Sequence, residues 1–253
     1  MHKNKPDWTK LITPEMAEVV AHIRQWNEEH PATSNYLQDY MDERVFWNDG
    51  GPVPAKVIEV EIEGPYGKIP CRLHYPRISD QPMGMMLYAH GGSLYLGNND
   101  THSRIMRTLT EKSDTVVIGV DYHLAPQNRF PKWIEECVVA TKYFRAHAAE
   151  YGLDANDVSF AGDSAGAWLS MATMLWLRDE DPDISYVTSL LLYYGLYGMY
   201  DSPTQRLYGN EIDGMMREYD EKLYPASIVD EEDVKSPHCD LLYNDLTQNV
   251  PPC

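Results

Sequence analysis

The stretch Val158-Ser159-Phe160-Ala161-Gly162-Asp163-Ser164-Ala165-Gly166 decides how the rest of the chain is read. Residues 158–161 form a short apolar run of the kind that makes a buried strand, and residues 165–178 recur with a helical period. Between them lies a Gly-x-Ser-x-Gly turn. A tight strand-to-helix turn of this type lifts a serine hydroxyl clear of the backbone, and the flanking glycines let neighbouring elements pass too close for a Cβ. The helix starting behind Ser164 sets its positive dipole end where negative charge would develop on a reacting oxygen. Ser164 is therefore the expected nucleophile, with Gly162, Asp163 and Gly166 supporting the turn and Asp163 read as structural. By itself the pattern arises by chance in roughly 10% of chains this long, and a glycine-rich turn without chemistry carries the same residues. The decision rests on what else stands at the strand ends.

His90-Gly91-Gly92-Ser93 directly follows a predicted strand over 85–89. Acyl transfer through a tetrahedral intermediate needs N–H groups aimed at the oxygen that becomes negative. Small residues at a strand end allow backbone amides that approach. Gly91 and Gly92, together with the amide of Ala165, are the expected oxyanion donors, and His90 is expected to orient their loop. Two such motifs on successive strand–helix corners are hard to assign to chance.

Outward from these corners, short apolar runs over 115–120 and 187–194 alternate with helical patterns over 102–112 and 133–151. Strand–helix alternation implies a mainly parallel sheet with helices on both faces, an α/β fold. Two alternating runs within residues 55–76 flank Gly64-Pro65-Tyr66-Gly67 and predict a β-hairpin, an antiparallel addition at the edge. Thr13-Pro14 followed by Met16, Val19, Val20, Ile23 and Trp26 predicts a helix over 14–28. Residues 1–50 and 196–236 read as lid elements over one α/β domain spanning 1–253. Tyr197, Met199, Tyr200, Met215 and Met216 are candidates to line a small apolar pocket there, or to pack generically. Trp168, Met171, Leu175 and Trp176 recur at helical spacing and read as core.

The chain has 253 residues and a formal net charge of −18. Such a surface repels phosphate backbones and anionic head groups, so neither nucleic acid nor a membrane is an expected partner. No cluster of Lys and Arg in the sequence builds a local basic pocket, and a small neutral substrate fits best. The four cysteines, Cys71, Cys137, Cys239 and Cys253, are widely spaced, with no metal site or disulfide framework in their pattern. No apolar signal core opens the chain. A reduced, cytoplasmic protein is expected.

The motifs His90-Gly91-Gly92, Asp121-Tyr122-His123-Leu124-Ala125-Pro126 and Gly162-Asp163-Ser164-Ala165-Gly166 together resemble the hormone-sensitive-lipase branch of the α/β-hydrolases. Arg44-Val45-Phe46-Trp47-Asn48, Arg129-Phe130-Pro131, Trp176-Leu177-Arg178-Asp179 and Tyr194-Gly195-Leu196-Tyr197-Gly198 extend the likeness toward the acetyl esterases of enterobacteria. The resemblance implies an α/β-hydrolase fold and serine-dependent hydrolysis of short-chain, acetyl-type esters, without metal or organic cofactor. It leaves a homodimer open. It also raises a second function, an interaction regulator independent of catalysis, because such esterases are associated with inhibiting the transcriptional activator of the maltose regulon and an α-galactosidase. Two departures stand out. Ser93 occupies the place of a third glycine, and Asp121-Tyr122-His123 with Gln127 replaces the commoner arginine- and acid-containing version. These last residues read as braces, not catalysts.

In α/β-hydrolases the acid and the histidine follow the serine along the chain. Only His238 follows Ser164 here, in an acidic, proline-containing segment, and it is a poor candidate, as are Asp240 and Asp245 for the acid. The other histidines, His22, His30, His74, His102, His123 and His147, show no ligand spacing. The chain ends at Val250-Pro251-Pro252-Cys253, where the family pattern would begin another core strand. The expectation is a C-terminally truncated chain, its last strands and catalytic acid and base lying beyond residue 253, and nearly inactive.

Overall fold

The computed structural model describes residues 12–181, 183–198, 230 and 232–253. Two helices come first. Helix α1 (Pro14–Glu29) is capped by Thr13, whose Oγ1 accepts from the Met16 amide, and α2 (Tyr36–Asn48) is capped in the same way by Asn35. The apolar stripe that predicts α1 is not buried: none of its residues is in the core. Helix α2 has no clear stripe and was not legible as a separate element. It buries Tyr40.

Strands β1 (Lys56–Gly64) and β2 (Gly67–Tyr75) form the expected hairpin, in register from Lys56 opposite Tyr75 to Gly64 opposite Gly67. Then come β3 (Met83–Ala89), α3 (Ser103–Ser113), β4 (Val116–Val120), α4 (Lys132–Ala146), the short α5 (Ala148–Tyr151), β5 (Leu153–Asp163), α6 (Ala165–Glu180) and β6 (Val187–Tyr193). The sheet order is β1-β2-β4-β3-β5-β6. Strands β4, β3, β5 and β6 are parallel, and β2 pairs antiparallel with both β1 and β4.

Side chains alternating along the strands separate two apolar layers. Met86, Tyr88, Val117 and Ala161 meet Met106 and Leu109 of α3 on one face. Met85, Leu87, Ile118 and Phe160 meet Trp133, Ile134 and Phe144 of α4 and Leu169, Met174 and Leu175 of α6 on the other. The chain leaves β3 toward β4 on one side and then crosses to β5 on the opposite side. The carboxyl ends of β3 and β5 therefore lie at a topological switch point, where open α/β sheets form their crevices. Both sequence motifs sit there.

Helix α6 is buried nearly all round, and the chain's last segment lies against it. The Trp168 indole donates to the Cys239 carbonyl at 2.9 Å. Arg178, only 8% exposed, donates to the carbonyls of Asp245 (2.5 Å) and Gln248 (3.3 Å) and to Asn244 Oδ1 (2.6 Å). At the outer edge of β6, the Leu190 amide donates to the Pro252 carbonyl at 2.9 Å. Arg178→Met would remove the charged donor that these groups share, and each such bond is worth about 1.5–3 kcal/mol. Amide exchange in residues 244–249 is expected to accelerate at least tenfold while β3 and β5 stay protected, as hydrogen-exchange mass spectrometry would record.

Cys71, Cys137 and Cys239 are buried and free, with burial raising each thiol's pKa; Cys253 is exposed. No helix among the described residues is long and apolar enough to cross a membrane. Of the expected lid over 196–236, residues 199–229 and 231 lie outside the described residues, including Met199, Tyr200, Met215 and Met216.

Candidate active site

Ser164 is the single residue between β5 and α6. Its backbone stands at φ 52°, ψ −121°, a left-handed conformation that costs a non-glycine residue about 1–3 kcal/mol. It is held there by its amide, which donates to the Tyr193 carbonyl at 2.9 Å, and by its carbonyl, which accepts from the Ala167 and Trp168 amides. The turn also passes very close to the end of β3. A Cβ on Gly166 would stand 2.0 Å from the Ala89 carbonyl oxygen, and one on Gly162 would stand 2.4 Å from Gly166 backbone. The two flanking glycines are thus required by backbone approach, as the motif predicts. The Ala165 amide, at the first turn of α6, has no hydrogen-bond partner among the described residues.

The His90-Gly91-Gly92-Ser93 corner lies directly against this turn. A Cβ on Gly91 would meet Asp163 Oδ2 at 2.5 Å and its carbonyl at 2.7 Å. Here one expectation is corrected. The Gly91 N–H does not point into open space but donates to Asp163 Oδ1 at 2.9 Å. An amide already spent on a buried carboxylate is not free for a reacting oxygen. The amides without a partner among the described residues at this corner are those of Gly92 and Ser93. The Gly92 carbonyl accepts from Tyr95 and Leu96, closing a tight turn with Gly92 at φ 116° and Ser93 at φ 56°. Serine therefore stands in a left-handed position that glycine would occupy without strain.

Asp163 continues the Ala161 face of β5 toward α3 and collects donors from three elements. Tyr88 Oη donates to its Oδ1 at 2.6 Å, Tyr194 Oη to its Oδ2 at 3.2 Å, and His102 Nε2 stands 3.6 Å from Oδ2. Burial alone would raise its pKa. The His102 charge and the hydrogen bonds from Tyr88 and Gly91 outweigh that and hold it well below the usual carboxylate range. Asp163 is a buried anchor tying the two corners together.

His90 is buried, and burial with the neighbouring His102 charge lowers its pKa to about 3. Its Nδ1 lies 2.8 Å from the Gly91 carbonyl, an acceptor, so Nδ1 carries the proton. Its ring stacks on Tyr122 with centroids 4.4 Å apart, and Tyr122 Oη donates to the His90 carbonyl at 2.7 Å. The Asp121-Tyr122-His123 stretch acts as a brace throughout. Asp121 accepts from the Asn99 amide at 2.6 Å and is pushed up to about 6 by burial. The amide and Nδ1 of His123 both bond the buried Glu136.

His238 is not near Ser164. Its Nε2 bonds Asp179 Oδ2 at 2.9 Å, beside Trp176, at the far end of α6. Fifteen residues of helix separate Asp179 from Ser164, roughly 22 Å at 1.5 Å per residue. Asp245 accepts from Thr247, close to the same end. Ser164 Oγ makes no hydrogen bond among the described residues. Nor do the described residues place three or more His, Cys, Asp or Glu side chains where they could hold a metal ion.

Sequence reasoning missed Tyr88, His102 and Tyr194 as parts of this corner. They come from β3, the start of α3 and the end of β6, and no spacing along the chain announces their meeting.

A family profile described as the alpha/beta hydrolase fold matches residues 86–253. The acetyl esterase of Salmonella typhi is 45% identical over 216 residues, covering 85% of this chain and 66% of that protein. The acetyl esterase of Salmonella schwarzengrund matches with the same figures. This chain thus spans slightly less than two thirds of the length of these curated relatives. Among solved structures, a hyperthermophilic esterase from Pyrobaculum calidifontis superposes with a TM-score of 0.78 at 25% identity, over 95% of this chain and 78% of that one. A thermostable carboxylesterase cloned from a metagenomic library gives 0.73 at 25% identity, over 83% and 72%. With the serine turn, the glycine corner and the mixed six-stranded sheet all in place, the chain belongs to the alpha/beta hydrolase fold family.

Proposed function

We propose that this chain carries the nucleophile and oxyanion hole of a carboxylic-ester hydrolase acting on short-chain, acetyl-type esters. The observation that carries the reading is the juxtaposition of the strained Ser164 turn with a corner whose Gly92 and Ser93 amides have no partner among the described residues. The 45% identity to acetyl esterases supports the acyl class. In this reading Ser164 Oγ adds to the ester carbonyl carbon. The carbonyl oxygen takes the negative charge and is met by the amides of Gly92, Ser93 and Ala165, at the positive end of α6. Collapse breaks the ester C–O bond and expels the alcohol, which carries the proton given up by Ser164 Oγ, and leaves an acyl-serine, which water then cleaves to the carboxylic acid and free serine. His90 and Asp163 hold the loop in place. They are positioning residues.

Serine's hydroxyl is a weak nucleophile until a base takes its proton. The one histidine that follows Ser164 in the sequence is held by Asp179 at the far end of α6. Loss of the base in serine hydrolases lowers turnover by on the order of 10⁶, leaving about 10³–10⁴ over water. The purified 253-residue chain is therefore expected to hydrolyse p-nitrophenyl esters slowly, best from acetyl to hexanoyl, and Ser164→Ala should change that residual rate little, because it rests on the oxyanion hole and binding. A dodecanoyl optimum, or a residual rate no faster than the reaction in water, would refute the proposal. Full-enzyme rates abolished by His238→Ala would instead make His238 the base.

A further inference from the structure

Beside the Asp163 corner, between α2 and the N-terminus of α3, lies a cavity of about 630 Å³ whose lining includes Asp163 but not Ser164, Gly91 or Gly92. We infer that this cavity is a binding site for a small organic monocarboxylate, separate from the proposed ester site.

The donor character of the cavity follows from hydrogen-bond accounting. Thr101 Oγ1 has one proton and two lone pairs. It donates to the Asn98 carbonyl at 2.9 Å and accepts from the Asn98 amide at 2.8 Å. His102 Nδ1, 2.9 Å away, can meet only the remaining lone pair, so Nδ1 carries a proton. Nε2, on the other side of the ring, faces the Asp163 carboxylate at 3.6 Å, where a bare lone pair would be repelled. The ring is 4% exposed and lines the cavity, and Nε2 makes no hydrogen bond of its own.

Arg44 projects into the same space from α2. Its guanidinium lies over the Tyr40 ring at 4.8 Å, its Nε is buried without a hydrogen-bond partner, and no carboxylate pairs with it among the described residues. Tyr40, 9% exposed, likewise keeps a hydroxyl without a partner. The inner wall therefore carries the Arg44 guanidinium against one carboxylate, Asp163, whose oxygens already accept from Tyr88, Gly91 and Tyr194. At the exposed rim Arg104 and Asp49 balance each other, and the exposed His22 also lines the cavity. The Arg44 guanidinium is thus left without a carboxylate of its own among the described residues, inside a chain of net charge −18. The first turn of α3, which opens on the cavity, adds positive potential of the same sign. A monoanion supplies the one carboxylate that this guanidinium lacks.

The remaining lining defines the body of the ligand. Phe46, Trp47 and Ile105 supply apolar wall in a space much larger than an inorganic ion needs. A carboxylate head on an aliphatic or aromatic body of a few carbons fits both halves, and a planar guanidinium matches a carboxylate in geometry.

The test is calorimetric titration of the 253-residue chain with sodium hexanoate and, at matched ionic strength, with neutral hexanamide. Saturable binding of hexanoate and none of hexanamide is expected. Arg44→Gln should weaken hexanoate binding at least tenfold, the usual worth of a hydrogen bond to a charged group. Val19→Glu, which puts a negative charge on an exposed lining residue, should weaken it likewise and provides a second variant where Arg44→Gln does not fold. Arg129→Gln, outside the cavity and paired with Asp230, should leave it unchanged. Equal binding of hexanoate and hexanamide, absence of saturable hexanoate binding, or an unchanged affinity in the folded Arg44→Gln or Val19→Glu chain would overturn the inference.

Discussion

Gly166→Ala is expected to cost the fold about 3 kcal/mol or more, while Gly152→Ala costs about 1 kcal/mol. The contrast isolates backbone approach from backbone conformation. At Gly166 the new methyl would lie 2.0 Å from the Ala89 carbonyl oxygen and 2.7 Å from the His90 carbonyl carbon, both main-chain atoms of a central strand and the loop that leaves it. Neither can swing aside as a side chain would. Relief requires moving the start of α6 away from β3, which breaks the Gly91 bond to Asp163 and pulls the two corners apart. At Gly152, φ is +66° and nothing lies within 4 Å, so only the left-handed penalty applies. Urea unfolding of the two variants checks the difference. A Gly166→Ala protein as stable as Gly152→Ala would mean that the turn is looser than described.

Stability should fall by about 4 kcal/mol between pH 6.5 and pH 4, a large share of the 5–15 kcal/mol that holds typical domains together. Two buried histidines drive this. Burial, reinforced by Arg72 and Arg107, lowers His74 to about 4, and burial with the His102 charge lowers His90 to about 3. Both pKa values are depressed below the unfolded value near 6.5. Their stabilisation is therefore complete above that pH and is lost as pH falls toward the folded values. Asp121 works in the opposite direction. Burial raises it to about 6, so its contribution is complete below the ordinary aspartate value near 3.9 and is lost as pH rises to 6. From pH 6.5 to 6 the unfolded chain takes up about two protons more than the folded one. From 6 to 4 the excess is about one, and each proton is worth about 1.4 kcal/mol per pH unit. Asp163, held low by its partners, adds a further loss only below about pH 4. Denaturation curves at half-unit pH steps test the profile. A flat profile from 6.5 to 4 would contradict the neutral, buried state of both rings.

The parts of this molecule that could be read in advance are those whose cause is local. Gly162 answers to Gly166 four residues on, and the β-branched run of β4 and the Gly64–Gly67 turn to their immediate neighbours, whereas Gly166, which makes room for Ala89 on another strand, was legible only through the Gly-x-Ser-x-Gly motif. The fate of the Gly91 amide could not be read, because it depends on where the Asp163 side chain turns once β3 and β5 lie side by side. Helix α2 carried no periodic signal, and α1 carried one that the fold leaves exposed. Arg44 and Arg104 are 60 residues apart along the chain, so a basic cavity was invisible until α2 and α3 were set against each other. The brace role of Asp121-Tyr122-His123 was legible because those residues leave a strand end and meet the next helix at once.

The backbone of Ser164 has a consequence for how this position can change over time. At φ 52° and ψ −121°, glycine is the residue the fold itself would choose, by a margin of about 1–3 kcal/mol. Under selection for folding alone, drift at residue 164 would run toward glycine, a gain for every copy that took it. A serine there marks a position on which stability does not have the deciding vote.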